Sequence, residues 1–576
     1  MFGAANRPAE QWPMREAAEK GTQDYAWLKS YPKDIDWSAP IGVKPLYALM
    51  DDAVARFAKQ PCIDFLGKRY DYAEVGQLVN RAAKGLKALG VRPGIKVGLC
   101  LPNTPYSIVC YYAALKAGGT IVNFNPLYAE RELAHQIEDS DTDIMVILDA
   151  AQIYDKLAAV MAGSRLKHVV VCRLAEALPF PRNWLYPWVM RHEVAQIPAD
   201  AVHVPFDRLI ANDGAIAAEP SDPHKSIALL QYTGGTTGVP KAAMLTHANL
   251  YANAEQCARW FADAGEGPRI TLGVLPLFHV FAMTVVMNWA LHEGAEMVLL
   301  PRFELDELLM TIQRCRPTAM PGVPTIFNAI LNAPDLAKYD LSSLQFCISG
   351  GAPLPLELAR AFVEKTGVRL LEGYGLSECS PVVCTNPASG QDRPGSVGLP
   401  YPGTVVEIMS VDPPRRVLPP GETGEICITG PQVMAGYWKR PDETAKVLAD
   451  GRLSTGDIGH LDADGYVYLT DRLKDMIIAG GFKIYPRNVE EAVMLHPAIL
   501  ECAVIGVADA YRGQTVKCYV VLKPGHELGA EALEGFLADK LSPIERPKQV
   551  VFRDQLPKTA VGKIDKKQLL QEDASS

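Results

Sequence analysis

Tyr232-Thr-Gly-Gly-Thr-Thr-Gly-Val-Pro-Lys241 packs three glycines, three threonines and one lysine into ten residues. The apolar run Ile227 to Leu230 before it reads as a buried strand, and a helix-like segment follows from Ala248, with Thr246, His247 or Asn249 as its cap. A strand, a Gly/Thr loop and then a helix predict a phosphate cradle. Glycine lets the main chain come close, hydroxyls and amide N–H groups donate, and lysine neutralises charge. A Walker loop has glycine directly before the lysine and Ser/Thr directly after it, whereas Pro240 precedes and Ala242 follows Lys241. The spacing is not the dinucleotide G-x-G-x-x-G either. The reading is a nucleotide phosphate site of another type, with a flexible surface loop as the alternative.

Outward from this loop, a βα rhythm runs in both directions. Val75, Leu78, Val79, Ala82, Leu86 and Leu89 follow helical spacing until Gly90, Val97 to Leu101 reads as a strand, Pro105 to Leu115 as a helix, and Thr120 to Phe124 as a strand. The rhythm returns at Ile144 to Leu148, Val169 to Val171 and Phe346 to Ile348, the last followed by a helix over Pro355 to Lys365. Such alternation predicts a parallel, doubly wound α/β fold. Leu272 to Leu291 is long and apolar, but Pro276, His279 and Asn288 interrupt it, so it reads as a buried helix lining an apolar cavity rather than a membrane span. Residues 391 to 430 are rich in Gly, Pro and β-branched residues, predicting a small barrel or antiparallel sheet. After Asp471-Arg-Leu-Lys-Asp475, about a hundred residues carry their own α+β pattern. Helices are expected over Val489 to His496 and Glu531 to Lys540, and strands over Ala503 to Val507, Lys517 to Leu522 and Val550 to Phe552. The expected organisation is a large N-terminal domain of doubly wound sheets (1–473, with a β-barrel-like subdomain over 391–470) followed by a small mobile α+β domain (474–576). The first fifty residues read as an extended arm plus one helix.

Composition fits this scale: 576 residues, 48% hydrophobic and 21% charged, exceed one ordinary core. A net charge of −9 argues against general nucleic-acid binding, although Lys548, Lys558, Lys563, Lys566 and Lys567 crowd the C-terminal end. The twelve cysteines form no metal spacing; Cys62, Cys100, Cys110 and Cys347 sit in apolar surroundings as core thiols, which fits a reducing, cytoplasmic setting. The N-terminal twenty residues lack the apolar core of a signal peptide.

Four further islands carry candidate chemistry. Ser349-Gly-Gly-Ala-Pro353 ends a strand with bare backbone against which a flat ring can lie, or is simply a turn. Glu372-Gly-Tyr-Gly-Leu-Ser-Glu378 offers two carboxylates, and Glu378 suits a hard cation that also takes substrate phosphate oxygens. Ser454-Thr-Gly-Asp-Ile-Gly459 places a carboxylate in a glycine-flanked turn, either capping its own backbone or accepting from ribose hydroxyls. Pro557-Lys-Thr-Ala-Val-Gly-Lys563 puts a lysine on a loop, either solvated or supplying charge to a reacting phosphate.

These five islands, in this order, resemble the adenylate-forming superfamily of acyl-CoA synthetases, aryl-CoA ligases, luciferase and nonribosomal adenylation domains. The resemblance runs from about Leu46 to Lys567. Within the superfamily the chain is most similar to bacterial long-chain fatty acyl-CoA synthetases, through Pro276-Leu-Phe-His-Val-Phe281, Met476-Ile-Ile-Ala-Gly-Gly-Phe482, Tyr485-Pro486 and the extended arm. It departs at Ala242, where glycine is usual.

The resemblance implies ATP, Mg2+ and coenzyme A as cofactors and a fatty acid as substrate, in two half-reactions. A carboxylate attacks the α-phosphate of ATP, giving acyl-adenylate and pyrophosphate; the thiol of coenzyme A then displaces AMP. It implies that Thr233, Gly234, Gly235, Thr236, Thr237, Gly238 and Lys241 hold the β- and γ-phosphates, and that Glu378 holds Mg2+ with Ser377 on phosphate. Gly351, Ala352, Glu372, Gly373, Tyr374 and Gly375 would frame the adenine, and Asp457 and Arg472 the ribose. Lys563 would act on the reacting oxygens, so that Lys563, Glu378 and Thr233 form the catalytic set. Lys474 occupies the family's hinge position, with a plain exposed lysine as its alternative. The loop Gly480, Gly481 and Phe482 would replace Lys563 when coenzyme A enters. His279, Phe281, Met283 and Gly373 would line the acyl pocket, opposite Gly322 to Phe327, with ordinary core packing as the alternative.

Pro179 to His192 holds Trp184, Tyr186 and Trp188 beside Arg182 and Arg191. It suits either peripheral contact with the inner face of a membrane or a buried loop. A second copy of the chain is a further candidate partner. The rival activities are a fatty acyl-AMP ligase serving a carrier protein, an aryl or medium-chain acyl-CoA ligase, and a non-enzymatic binder. The last would lack Lys563, Glu378 or Asp457, all of which are present.

Overall fold

The structure is a computed structural model that describes residues 25–233, 240–262, 264–265, 267–389, 393–479, 482–509, 512–559 and 562–574. Most of the first arm, together with Gly234, Gly235, Thr236, Thr237, Gly238, Gly480 and Gly481, lies outside the described residues.

Buried runs of β-branched residues form strands because a sheet covered by helices on both faces tolerates no polar alternation. Thr142–Leu148 is buried at every position, and His168–Cys172 at all but the first. Among the described residues these strands belong to an eight-stranded sheet, in the order Gly436–Tyr437, Lys241–Thr246, Ile227–Thr233, Thr120–Asn123, Lys96–Cys100, Thr142–Leu148, His168–Cys172 and His203–Pro205. A nine-stranded sheet runs from Leu399–Pro400 through Val382–Thr385, Arg369–Gly375, Phe346–Ser349, Ala319–Gly322, Ile270–Gly273, Glu296–Leu299 and Pro61–Phe65 to Lys68–Asp71. The inner strands of both sheets pair in parallel; the outermost pairings of the nine-stranded sheet are antiparallel, whereas the eight-stranded sheet is antiparallel at its Gly436–Tyr437 end and parallel at its His203–Pro205 end. The expected doubly wound α/β architecture is therefore present. All twelve cysteines are buried free thiols.

Three local expectations are corrected. The loop after Thr233 leads into a second strand, Lys241–Thr246, which pairs antiparallel with Ile227–Thr233, so the Gly/Thr loop closes a hairpin instead of opening a helix. The helix His247–Trp260 comes one strand later, and Thr246 is its cap: Thr246 Oγ1 accepts from Asn249 N at 3.1 Å, and Asn249 Oδ1 from Thr246 N at 2.9 Å. The run Leu272 to Leu291 is not one helix. It ends the strand Ile270–Gly273, crosses a loop, and becomes helical only at Val280–Ala282, a π-turn over Met283–Asn288 and Trp289–Glu293. Apolarity alone cannot separate a buried strand from a buried helix, and Gly273 and Pro276 make the break. Among the described residues no helix is long and apolar enough to cross a membrane.

The β-rich part is an open antiparallel sheet rather than a closed barrel, ordered Val405–Met409, Gly424–Thr429, Arg452–Leu461 and Leu448–Ala449, with Val467–Arg472 also on Arg452–Leu461. Beyond it, Phe482–Ile484, Ile477–Ala479, Gly513–Leu522 and Ile499–Asp509 form a further sheet, with Gln549–Phe552 parallel to Gly513–Leu522. The helices Pro486–Met494 and Ala530–Leu537 lie near the expected positions. Ile477, Val489, Val504, Val516, Val520 and Leu533 give this part a core separate from that of the large sheets.

Candidate active site

In an open parallel sheet, ligands collect beyond the carboxyl ends of the strands, where the strand order reverses. In the nine-stranded sheet that point lies between Ile270–Gly273 and Ala319–Gly322, since the chain places Glu296–Leu299 on one side and Phe346–Ser349 and Arg369–Gly375 on the other. The segments leaving these strands carry His279, Val323 to Thr325, Gly351 and Ala352, and Ser377 and Glu378. Three of the four further islands meet this edge through the nine-stranded sheet and the Lys563 loop, and Asp457 joins them across Tyr374.

Lys563 arrives from the C-terminal sheet. Its loop is closed by Thr559 N donating to Lys563 O at 2.7 Å and Lys563 N donating to Thr559 Oγ1 at 3.2 Å, and it is tied to the large sheets by Thr325 Oγ1 donating to Gly562 O at 2.8 Å. The lysine then lies over Gly351. A Cβ built on Gly351 would stand 2.8 Å from Lys563 Cε and 3.1 Å from Nζ, and the φ of +78° at Gly351 itself favours glycine. The packed surroundings of Lys563 lower its pKa to about 8, with the Arg472 charge adding to the effect and Asp457 opposing it. The side chain keeps part of its surface in water, so dense packing around the ammonium does this rather than complete enclosure. Lys563 in turn helps burial hold His279 at about 3, keeping that imidazole neutral. His279 Nδ1 accepts from Phe281 N at 3.3 Å and starts the helical segment.

Asp457 and Arg472 face each other across antiparallel strands, with Arg472 Nε 3.1 Å from Asp457 Oδ1. Tyr374 OH donates to Asp457 Oδ2 at 2.7 Å. This buried carboxylate thereby joins the β-rich sheet to the strand Arg369–Gly375. Glu372, on the same strand, accepts from Leu354 N at 3.1 Å and so anchors the loop containing Gly351 and Ala352. Gly375 admits no side chain, because a Cβ there would sit 2.2 Å from Pro381 O.

The hairpin end is polar and pre-paired. Thr233 Oγ1 donates to Lys241 O at 3.3 Å, and Lys241 Nζ pairs with Glu443 and lies 5.4 Å from the Tyr437 ring centroid. Tyr437 OH donates to Glu378 Oε1 at 2.7 Å. Glu378 is half-buried, and among the described residues its second oxygen makes no hydrogen bond and no group of three His, Cys, Asp or Glu side chains gathers around a metal position. One carboxylate oxygen completed by phosphate oxygens and water fits Mg2+, which does not need an all-protein cage.

The acyl candidates are not brought together as a set. Phe281 packs on bare backbone at Gly350, where a Cβ would stand 2.9 Å from its ring, so it borders the Gly351 loop. Met283 is fully buried at the start of the π-turn, against Asn123. Gly373 faces Thr385. Lys474 is exposed, as is Phe482 at 63%. The sequence marked Thr325 only as part of the acyl-pocket wall, not as the partner of Gly562, and gave no sign of Tyr437, Glu443 or Arg487. Pro441-Asp-Glu-Thr444 signals only a helix start, and nothing local to Arg487 names its partner.

The chain belongs to the AMP-binding enzyme family, whose pattern it matches over residues 50–438, with the AMP-binding enzyme C-terminal domain over 488–563. Among its relatives, the long-chain-fatty-acid–CoA ligase of Bacillus subtilis is 43% identical over 96% of this chain and 98% of its own. That of Escherichia coli O6:H1 is 37% identical over 95% and 98%. ATP-bound MatB from Rhodopseudomonas palustris superposes with a TM-score of 0.81 at 29% identity, covering 93% of this chain and 99% of its own, whereas apo MatB gives 0.72.

Proposed function

We propose that this enzyme activates a fatty acid with ATP as an acyl-adenylate and transfers the acyl group to coenzyme A. The observation that carries the reading is the position of Lys563, over Gly351 and beside Asp457 and Arg472, at the switch point of the nine-stranded sheet. The names and near-complete coverage of the Bacillus subtilis and Escherichia coli relatives support the substrate class.

Both reactants of the first step are anions, so fixed positive charge and alignment dominate the barrier. Lys241 and the loop Thr233 to Gly238 hold the outer phosphates, with Ser377 beside them. Glu378 holds Mg2+, which when bound neutralises phosphate charge. Gly351, Ala352, Glu372, Gly373, Tyr374 and Gly375 frame the adenine, and Asp457 shares its oxygens between Tyr374, Arg472 and ribose hydroxyls. The carboxylate oxygen attacks the α-phosphorus, pyrophosphate leaves, and Lys563 stabilises the charge on the reacting oxygens. In the second step the thiol sulfur loses its proton and attacks the acyl carbonyl, and AMP leaves with the bonding electrons. Rotation about Lys474, which divides 1–473 from 474–576, withdraws Lys563 and brings Gly480, Gly481 and Phe482 to the same place. His279, Phe281, Met283 and Gly373 border the acyl channel, where each buried methylene adds about 0.8 kcal/mol of affinity.

ATP–pyrophosphate exchange across carboxylic acids of increasing length, followed by addition of coenzyme A, tests this. Exchange that rises with alkyl length and yields thioester is expected. A feruloyl-CoA synthase of Amycolatopsis, 35% identical over 86% of this chain, favours one rival, an aryl-CoA ligase. Preference for cinnamates or benzoates would establish that rival, and adenylate without thioester would point to a carrier-loading ligase.

The fatty acid is best collected from a bilayer, and Arg182–Val189 is the surface for it. Phe180, Trp184, Trp188 and Val189 are 84%, 65%, 75% and 66% exposed, and Leu185 is exposed as well. At 100° per residue Trp184, Leu185, Trp188 and Val189 occupy one arc of roughly 140°, with Arg182 at its edge and Arg191 just beyond the helix, while Tyr186 packs inward. Flotation with vesicles containing anionic lipid is expected for the native chain and lost in a Trp184→Ala/Trp188→Ala variant. Unchanged flotation counts against the surface, and a change in oligomeric state instead assigns it to a second copy of the chain.

A further inference from the structure

Arg487 stands in the first turn of the helix Pro486–Met494, in the C-terminal domain, with only 5% of its surface exposed. A buried guanidinium needs partners for five donors. Nε donates to Glu491 Oε1 at 2.9 Å, Nη2 lies 3.7 Å from Glu372 Oε1, and Nη1 has no hydrogen-bond partner among the described residues. Its backbone N–H donates to Asp471 Oδ2 at 2.8 Å, three residues before the proposed pivot at Lys474. Glu372 is itself 6% exposed and belongs to the other domain. The Glu372 oxygen facing Arg487 is the one that accepts from Leu354 N, and so holds the loop over which Lys563 lies.

We propose that Arg487 is a positioning residue: a buried cation crossing between the domains that holds the C-terminal domain in the adenylate-forming arrangement and ties that arrangement to the Gly350–Leu354 loop. The proposal rests on the two-step reaction above. The physical reason is asymmetry. In the arrangement seen here the guanidinium is dry and its charge is met by Glu372 and Glu491. Turning the domain away separates it from Glu372, which stays fixed to the Leu354 amide. Such a pair adds little net stability, because desolvation offsets attraction, but it still favours arrangements that make it over those that do not. The ion pair is loose and one donor is unused, so the hold is weak enough to be released in each turnover.

The test uses the full-length chain with Arg487→Met, which keeps volume and removes charge, Arg487→Lys as the conservative variant, and Glu372→Gln. Pyrophosphate exchange is expected to slow about tenfold in Arg487→Met, a population shift of about 1.4 kcal/mol. Thiolysis of supplied acyl-adenylate should be unchanged or faster, and Arg487→Lys should recover part of the exchange rate. The Arg487→Met/Glu372→Gln double variant should be no worse than the poorer single one. Independently of activity, amide hydrogen exchange should rise together in Gly350–Leu354 and Pro557–Lys563 of Arg487→Met. Equal loss of both half-reactions, additive single effects, or unchanged amide exchange in a folded variant would overturn the proposal. A native chain without any pyrophosphate exchange would instead overturn the reaction, leaving the amide measurement to decide the role of Arg487.

Discussion

In the proposed reaction, adenylate formation turns on Lys563. With its pKa near 8 in the nucleotide-free protein, it is charged below that value and neutral above it. Since kcat/KM reports groups of the free enzyme, kcat/KM for ATP should fall as pH rises through about 8. Bound phosphates favour the ammonium, so the corresponding limb of kcat should lie at higher pH. Lys563→Ala should remove the limb and reduce adenylate formation by about 100- to 1000-fold, the scale of losing one charge-stabilising donor. It should leave thiolysis of supplied acyl-adenylate within about threefold of native. Stopped assays of each half-reaction across pH 6 to 10 check this, and equal loss in both would reject the role. At this scale the sequence named Lys563, Asp457, Tyr374 and Glu378 because each stands in a glycine-rich island. It was silent on Tyr437, Glu443 and Arg487, because a side chain defined by a partner far along the chain leaves no local mark.

Elements were legible where period and punctuation agree. The helix Tyr72–Ala88 and the strand Lys96–Cys100 follow apolar spacing and a glycine stop, and both formed nearly where expected. The hairpin at Thr233 was misjudged because Lys241 to Thr246 is too short to show its own period, so the helix beyond it claimed the loop. The segment Leu272 to Leu291 was misjudged because uniform apolarity erases the distinction between periods. One element predicts sharply: the loop after Phe346–Ser349. Gly351→Ala would force a residue with a side chain to φ +78° and push its Cβ into Lys563. We expect adenylate formation to fall by at least about tenfold, from backbone strain on the order of 1 kcal/mol plus the displaced ammonium. Thiolysis, which does not use Lys563 there, should change far less. Pyrophosphate exchange and single-turnover thioester formation measure the two.

At the scale of the molecule the sheets interleave. The strands Pro61–Phe65 and Lys68–Asp71 join a sheet whose other members begin at Ile270, while Gly436–Tyr437 returns to the sheet of Lys96–Cys100. The C-terminal domain lies over the switch point, held through Thr325, Gly562, Arg487 and Glu372. A turnover that needs the domain elsewhere needs a swivel, and Lys474→Pro should lock it by fixing one backbone dihedral. Adenylate formation should survive this change, and thioester formation should drop by about 100-fold if rotation becomes limiting. Retention of both rates would move the pivot away from Lys474.

The amino-acid sequence alone determined the α/β class, the separate C-terminal pattern and the five islands. These depend on short-range periodicity and on glycine, proline and charge placed within a few residues. Only the tertiary structure decided that the strands on either side of the Gly/Thr-rich stretch pair antiparallel, that the β-rich sheet stays open, and that Lys563, Gly351, Asp457 and Arg487 share one edge. Those outcomes depend on which strands find each other across hundreds of residues, a choice made by burial of whole faces and by pairing of buried charges rather than by any local preference.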